Sequence, residues 1–293
     1  MALFGLKKSE EEEKKEPQDD IILAMKHAKL AERKKDGQTA EVMYHKALTL
    51  VAEHEKTQDM TDEQLLNARI AIYDSMANLY LSQGLFDKAE SLYKETMRGQ
   101  IQKGISEKDN SVIELSLKLA MIYAMQNKNT DAEKGYKFCI SSLQQKTEKE
   151  SEADADTLAL MGMCRNSYAR FLMVAQRLAE AEEEMKRCVN VGLQAFGPNH
   201  PQVAVLLNDV ATLESMQKKH DAAAATLDKA IRIAQNSQSP DLAAFYCNQG
   251  NIFIHKYDLK QAKRSCKIAL RLARDNGDKE VQSKAQACID RTM

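Results

Sequence analysis

Chain breakers are scarce: the 293 residues include 11 glycines and four prolines. With so few, and with 14 methionines and 29% charged residues, helices are favoured throughout. Charge of one sign is also lacking. The 42 basic and 43 acidic residues nearly cancel, and no basic stripe with interleaved aromatics exists, so nucleic acid has no electrostatic case as a partner. The cysteines are never close. Of Cys139, Cys164, Cys188, Cys247, Cys266 and Cys288, the nearest pair, Cys247 and Cys266, is too widely spaced for a CxxC, which argues against a zinc ribbon. Most lie on apolar helix faces, where a free thiol is expected to pack as a small hydrophobe.

Long apolar runs are missing too. Met1–Leu6 (MALFGL) falls far short of the ~20 residues of a membrane span. It runs into Lys7, Lys8 and the acidic stretch Ser9–Asp20, which reads as neither a secretory signal nor an Arg-rich transit peptide. Nucleotide loops of the GxGxxG or GxxxxGK[ST] type, HExxH and GxSxG are absent, and the six histidines are scattered. No catalytic residue, metal site or cofactor is expected, and the chain is not expected to be an enzyme.

What is present is a pattern. Tyr73–Met97 reads as two helices joined by a tight turn. Met76, Ala77 and Tyr80 share a face of the first helix, and Ala89, Leu92, Tyr93 and Met97 recur at helical spacing in the second. Gly84 stands where a left-handed C-cap is expected, and Asp87 offers an N-cap. A small residue in mid-helix lets the backbones approach. The same device recurs five times more, with the second-helix alanine always twelve positions after the small residue. The pairs are Ala28 and Ala40, Ala77 and Ala89, Ala120 and Ala132, Ala169 and Ala181, Ala211 and Ala223, and Gly250 and Ala262. In the first copy Asp20 is expected as N-cap and Gly37 as the opening of the turn.

These residues fit the tetratricopeptide repeat pattern. One such hairpin cannot bury its own apolar face, so stacking is required. The expected fold is all-α: a right-handed superhelical solenoid of about six tetratricopeptide-type hairpins plus a C-terminal capping helix over Asp278–Thr292. Residues 1–18 are expected to form a disordered acidic lead-in, and 19–293 the solenoid. The second-helix alanines step by 39 to 49 residues against about 34 in the standard repeat, so helices or connections are longer. A protruding helix end with a mobile tip is expected at Gln144–Asp156. One connection, AFGPNHPQVA over 195–204, resembles the inter-repeat element of kinesin-light-chain-type repeats. There Gly197 is expected to end one helix, Pro201 to start the next, and His200 to serve the cap or turn.

Solenoids offer a groove lined by the first helix of each pair. Counting three before and one after each small residue gives Asp74 and Asn78, Leu117 and Met121, Asn166 and Arg170, Asn208 and Thr212, and Cys247 and Asn251. Asp74, Asn78, Asn166, Arg170, Asn208, Thr212 and Asn251 are the candidate partner-binding residues. Asparagine is a poor helix former. Its recurrence on one face either serves an extended peptide, whose backbone an amide can bond without reading sequence, or is exposed polarity without a partner. Met25, Asp74 and Leu117 occupy positions where a carboxylate clamp would need polar or basic groups, which argues against that clamp.

The stretches YDSMANLYLSQGLFDKAESLYKETM, SLKLAMIYA, GYKFCISSL, LMGMC, ARFLM and HPQVAVLLNDVATL closely resemble a mitochondrial family of tetratricopeptide repeat factors of respiratory complex III. The resemblance spans about Asp19 to the C-terminus. It implies a non-enzymatic scaffold of the mitochondrial inner membrane that associates with complex III subunits and promotes clearance of N-terminal fragments of the Rieske iron–sulfur subunit. It also implies membrane attachment through a segment upstream of residue 1, with MALFGL as the remnant of an apolar anchor. The alternative is a cytosolic, kinesin-light-chain-like cargo or peptide adaptor, although the amino-terminal heptads such chains use for pairing are missing.

Overall fold

The computed structural model describes residues 17–149 and 154–292. These form thirteen helices and, among the described residues, no strand. The chain divides into two compact units, 1–107 and 108–293. The first unit holds two hairpins, α1 (Pro17–Arg33) with α2 (Gly37–Thr57) and α3 (Asp62–Ser82) with α4 (Phe86–Gln102). The second holds four: α5 (Asn110–Met125) with α6 (Asn129–Lys149), α7 (Ala155–Val174) with α8 (Leu178–Phe196), α9 (Pro201–Met216) with α10 (His220–Asn236), and α11 (Leu242–His255) with α12 (Leu259–Asp275). Helix α13 (Lys279–Asp290) follows. The fold is the all-α tetratricopeptide solenoid.

The twelve-residue offset has a backbone cause. In all six hairpins a left-handed residue stands seven positions after the small residue: Lys35, Gly84, Asn127, Gln176, Lys218 and Tyr257, with φ between 59° and 73°. The next residue donates its N–H back to the first helix: Asp36 to Ala31 O, Leu85 to Tyr80 O, Lys128 to Tyr123 O, Arg177 to Leu172 O, Lys219 to Glu214 O and Asp258 to Phe253 O, at 2.8–3.0 Å. This is the six-to-one bond of a Schellman turn, repeated with one geometry. Because it reverses the chain in the same number of residues, the small residue and the alanine always meet. All twelve are buried at the hairpin seams.

Several local expectations need correction. Asp87 is not an N-cap: α4 begins at Phe86, and Leu85 caps it without a side-chain bond. The carboxylate lies instead inside the positive first turn. Asp20 likewise lies within α1, which starts at Pro17. Gly37 is the first residue of α2, capped by Asp36; the positive φ falls on Lys35. By contrast Gly84 is left-handed as expected, Gly197 ends α8 as its C-cap, and Pro201 is the first residue of α9. His200 caps that helix, its Nδ1 accepting from Gln202 N at 3.1 Å. Helix α6 runs on through Lys149, and 150–153 lie outside the described residues. So does the lead-in, apart from Pro17 and Gln18, which open α1.

Consecutive hairpins are tied by a device the sequence reading missed. The residue after the second-helix alanine is glutamate in four hairpins, and three of these visibly reach the next turn. Glu41 accepts from Tyr80 Oη at 2.6 Å and pairs with Lys88 at 3.4 Å. Glu133 accepts from Arg177 at 2.8 Å, Lys137 at 2.7 Å and Tyr168 at 3.0 Å. Glu182 accepts from Gln217 at 2.6 Å and Lys219 at 2.8 Å, and pairs with Lys186. From the fifth hairpin Asp221 reaches Lys256 at 2.6 Å.

Arg177 and then Lys137 hold the Glu133 carboxyl at about 2, below its unfolded value of about 4.3. A lowered carboxyl stabilises fully above the unfolded value, and the contribution is lost as pH falls from there toward about 2. Glu133→Gln is therefore expected to lower the melting temperature by a few degrees near neutral pH. That deficit should shrink below about pH 4 and close as pH approaches about 2; a deficit constant with pH, read by circular dichroism, would show the carboxylate charge to be irrelevant.

The cysteine expectation also changes. Cys139, Cys164, Cys188 and Cys247 are free and buried, as small hydrophobes should be. Cys266 and Cys288, however, form a disulfide between α12 and α13. Spacing arguments look for pairs close in sequence, whereas these meet because α13 lays its buried face, Ala285, Cys288 and Ile289, back on the last hairpin. Covalently held, α13 is the cap expected at the end of the array.

Candidate functional site

In the first unit, Asp74 and Asn78 stand one turn apart on α3. Asn78 Nδ2 donates to Asp74 O at 2.7 Å and to its Oδ2 at 3.1 Å, while Tyr93 Oη donates to Asn78 Oδ1 at 2.8 Å. This pair is tied to its own hairpin through the tyrosine of α4.

In the second unit Arg170 and Asn208 bridge neighbouring first helices, and the other candidates stand beside them. Arg170 on α7 donates Nε to Asn166 Oδ1 at 3.1 Å and Nη2 to Asp209 of α9 at 3.3 Å. Asn208 on α9 accepts at Oδ1 from Asn248 of α11 at 2.9 Å, and its carbonyl takes the Thr212 hydroxyl at 2.9 Å. Asn251 on α11 accepts from Arg291, just past α13, at 3.0 Å. The asparagines thus form an amide ledge in which each rung holds the next. They are neither partnerless nor wholly free, because an amide offers more bonding positions than one neighbour fills.

The counting rule was too simple in two hairpins. Leu117 and Cys247, three before their small residues, are 2% and 4% exposed and pack in the core. The partners the rule missed, Asp209 and Asn248, stand two before the small residue. That position is polar in all six hairpins (Lys26, Ser75, Lys118, Ser167, Asp209 and Asn248), a regularity that could have revealed them. Burial pushes the Asp209 carboxyl up, and Arg170 opposes that shift.

Beside the ledge is an apolar cavity of about 190 Å³ between α7, α8 and the start of α9. Gly162, Met163, Asn166, Val191, Gly192 and Phe196 are among its lining. Gly162 leaves it open, since a Cβ there would meet nothing nearer than Val191 Cγ1 at 3.9 Å. Phe196 stacks on the capping His200 with ring centres 4.7 Å apart. Among the described residues no cluster of three or more His, Cys, Asp or Glu side chains could hold a metal, and no helix is long and apolar enough to cross a membrane.

Known proteins agree with this architecture. Tetratricopeptide repeat family models match residues 163–236 and 69–102, and neither description is that of an enzyme. The solved structure of BtubC (BKLC) from P. vanneervenii superposes with a TM-score of 0.63 at 18% identity, covering 90% of this chain and 93% of that one. The kinesin-light-chain TPR-like repeats of Podosopora anserina give 0.58 at 18%, covering 76% and 98%. At those identities the likeness speaks for the fold. A sequence relative goes further: the Mus musculus tetratricopeptide repeat protein 19, mitochondrial, is 36% identical over 90% of this chain and 72% of its own length. The human protein of that name is 33% identical over 90% and 70%. With a third or more of the residues identical over nine-tenths of the chain, this protein belongs to the mitochondrial tetratricopeptide repeat protein 19 family.

Proposed function

We propose that this chain is a non-enzymatic, protein-binding scaffold of the mitochondrial inner membrane. In this reading it associates with respiratory complex III and supports the complex by promoting clearance of N-terminal fragments of the Rieske subunit. The observation that carries the binding part is the amide ledge of the second unit: Asn166, Arg170, Asn208, Thr212 and Asn251 on first helices, with Arg291 reaching in from just past α13. Amides can bond the backbone of an extended segment without demanding one sequence, which suits heterogeneous fragments. Family membership supports the mitochondrial setting. The structural likeness to kinesin-light-chain repeats supports the fold alone, so it does not favour the cargo-adaptor alternative.

The test uses the chain expressed behind an inner-membrane targeting segment in cells lacking their own family member. Co-migration with complex III on native gels and a fall in Rieske N-terminal fragments are expected. A chain that reaches the inner membrane, migrates apart from complex III and leaves the fragments unchanged would refute the proposal.

A further inference from the structure

The cavity and Arg170 are two halves of one surface, joined by Asn166. Asn166 lines the cavity and at the same time accepts from Arg170 Nε. The cavity is lined mainly by apolar groups and its rim is open: Met163 is 54% exposed and Phe196 45%. At about 190 Å³ it exceeds the ~150 Å³ that holds a benzene ring in an apolar protein cavity, so one bulky side chain fits. Arg170 keeps its side chain 62% exposed. Asn166 and Asp209 take two of its N–H groups, leaving the rest of the five-donor fork to solvent. An open guanidinium favours a planar, bidentate carboxylate.

The distance between the two halves suits an extended chain. From Gly162 to Arg170 the helix advances by about 12 Å, which an extended chain covers in about four residues. Side chains of an extended chain alternate in direction, so two residues four apart face the same way. We infer that this surface takes an extended segment of a partner protein. It seats a bulky apolar side chain in the α7–α8 cavity and places an aspartate or glutamate, four residues away, on Arg170. The amides of Asn166 and Asn208 then face the intervening backbone. The inference rests on the protein-binding reading above and adds the chemistry of the bound segment.

A random peptide library, displayed without free C-termini, is selected on the whole chain. The enriched peptide is then resynthesised with an amidated end and titrated by fluorescence polarisation. An aliphatic or aromatic residue four positions from an acidic one is expected among the binders. Changing the acidic residue to its amide should weaken binding by roughly tenfold or more. Arg170→Gln, at an exposed position, should do the same, and Gly162→Leu should abolish the preference for the apolar residue by filling the cavity. If Gly162→Leu proves unfolded by circular dichroism, the peptide-side changes and Arg170→Gln still decide. Binders without this pair, insensitive to Arg170→Gln, would overturn the inference, and so would the absence of any binder. Complex III co-migration reads the functional proposal separately, so either can fail while the other stands.

Discussion

Glu184→Ala is expected to destabilise the second unit by about 3–5 kcal/mol, the cost of leaving a buried charge without its counterion. Arg165 on α7 is the charge concerned. Its side chain is 7% exposed, its Nη1 donates to Glu184 Oε2 at 2.6 Å, and Glu184 itself is 12% exposed. The Arg165 Nε is buried with no hydrogen-bond partner among the described residues, so little else there compensates the cation. The reciprocal substitution should be milder. Arg165→Met leaves Glu184 with a second cation, Arg187 on its own helix at 2.7 Å. The double variant Arg165→Met with Glu184→Leu replaces the pair by apolar volume and should return to near wild-type stability. Urea unfolding of all three variants gives the coupling directly. A loss below about 1 kcal/mol for Glu184→Ala would mean that water reaches the pair as it reaches a surface salt bridge.

Gly250→Ala is expected to cost about 1–3 kcal/mol through overpacking, despite the helix propensity alanine gains over glycine. A Cβ at this position would stand 2.3 Å from Cys266 Sγ, 2.8 Å from Cys288 Sγ and 3.4 Å from Ala262 O. A free thiol could rotate away, but these two sulfurs are bonded to each other. The cost should therefore depend on redox state. Wild-type protein is expected to lose stability when reductant opens the disulfide, whereas the variant should lose less because its clash is relieved at the same time. Equal losses in thermal melts with and without dithiothreitol would show that the disulfide does not confine the sulfurs. Five hairpins place alanine at this seam position and the sixth places glycine; the sulfur pair is the reason.

The fold was legible because its governing signal is local and repeated. Small residues twelve apart needed no tertiary information to be found, and their burial follows from the turn between them. The turn itself was hidden. Glycine marks it at Gly84 and asparagine at Asn127; elsewhere Lys35, Gln176, Lys218 and Tyr257 adopt left-handed backbones that residue type does not advertise. Tertiary packing, not propensity, sets those angles. The candidate site was half legible for a similar reason. A first-helix face predicts that Asn166, Asn208 and Asn251 lie on one side. Their partners Asp209, Asn248 and Arg291 depend on how adjacent helices are offset, which no single hairpin encodes. The glutamate ties were overlooked because an acidic residue on a helix ordinarily reads as solvated, and only the neighbouring hairpin gives it a cation.

Those ties also have a direction in time. Glu41, Glu133 and Glu182 each precede in sequence the turn they grip. In the turns gripped by Glu133 and Glu182 the left-handed residues are Gln176 and Lys218; a non-glycine residue there costs about 1–2 kcal/mol, so those hairpins are poorly held alone. For a chain emerging amino-terminus first, from a ribosome or a translocation pore, the carboxylate is already displayed on a formed helix when the next turn arrives. Each of these three hairpins is thus a template that closes its successor. A chain threaded from the other end would have to hold those turns shut before their clasps appeared.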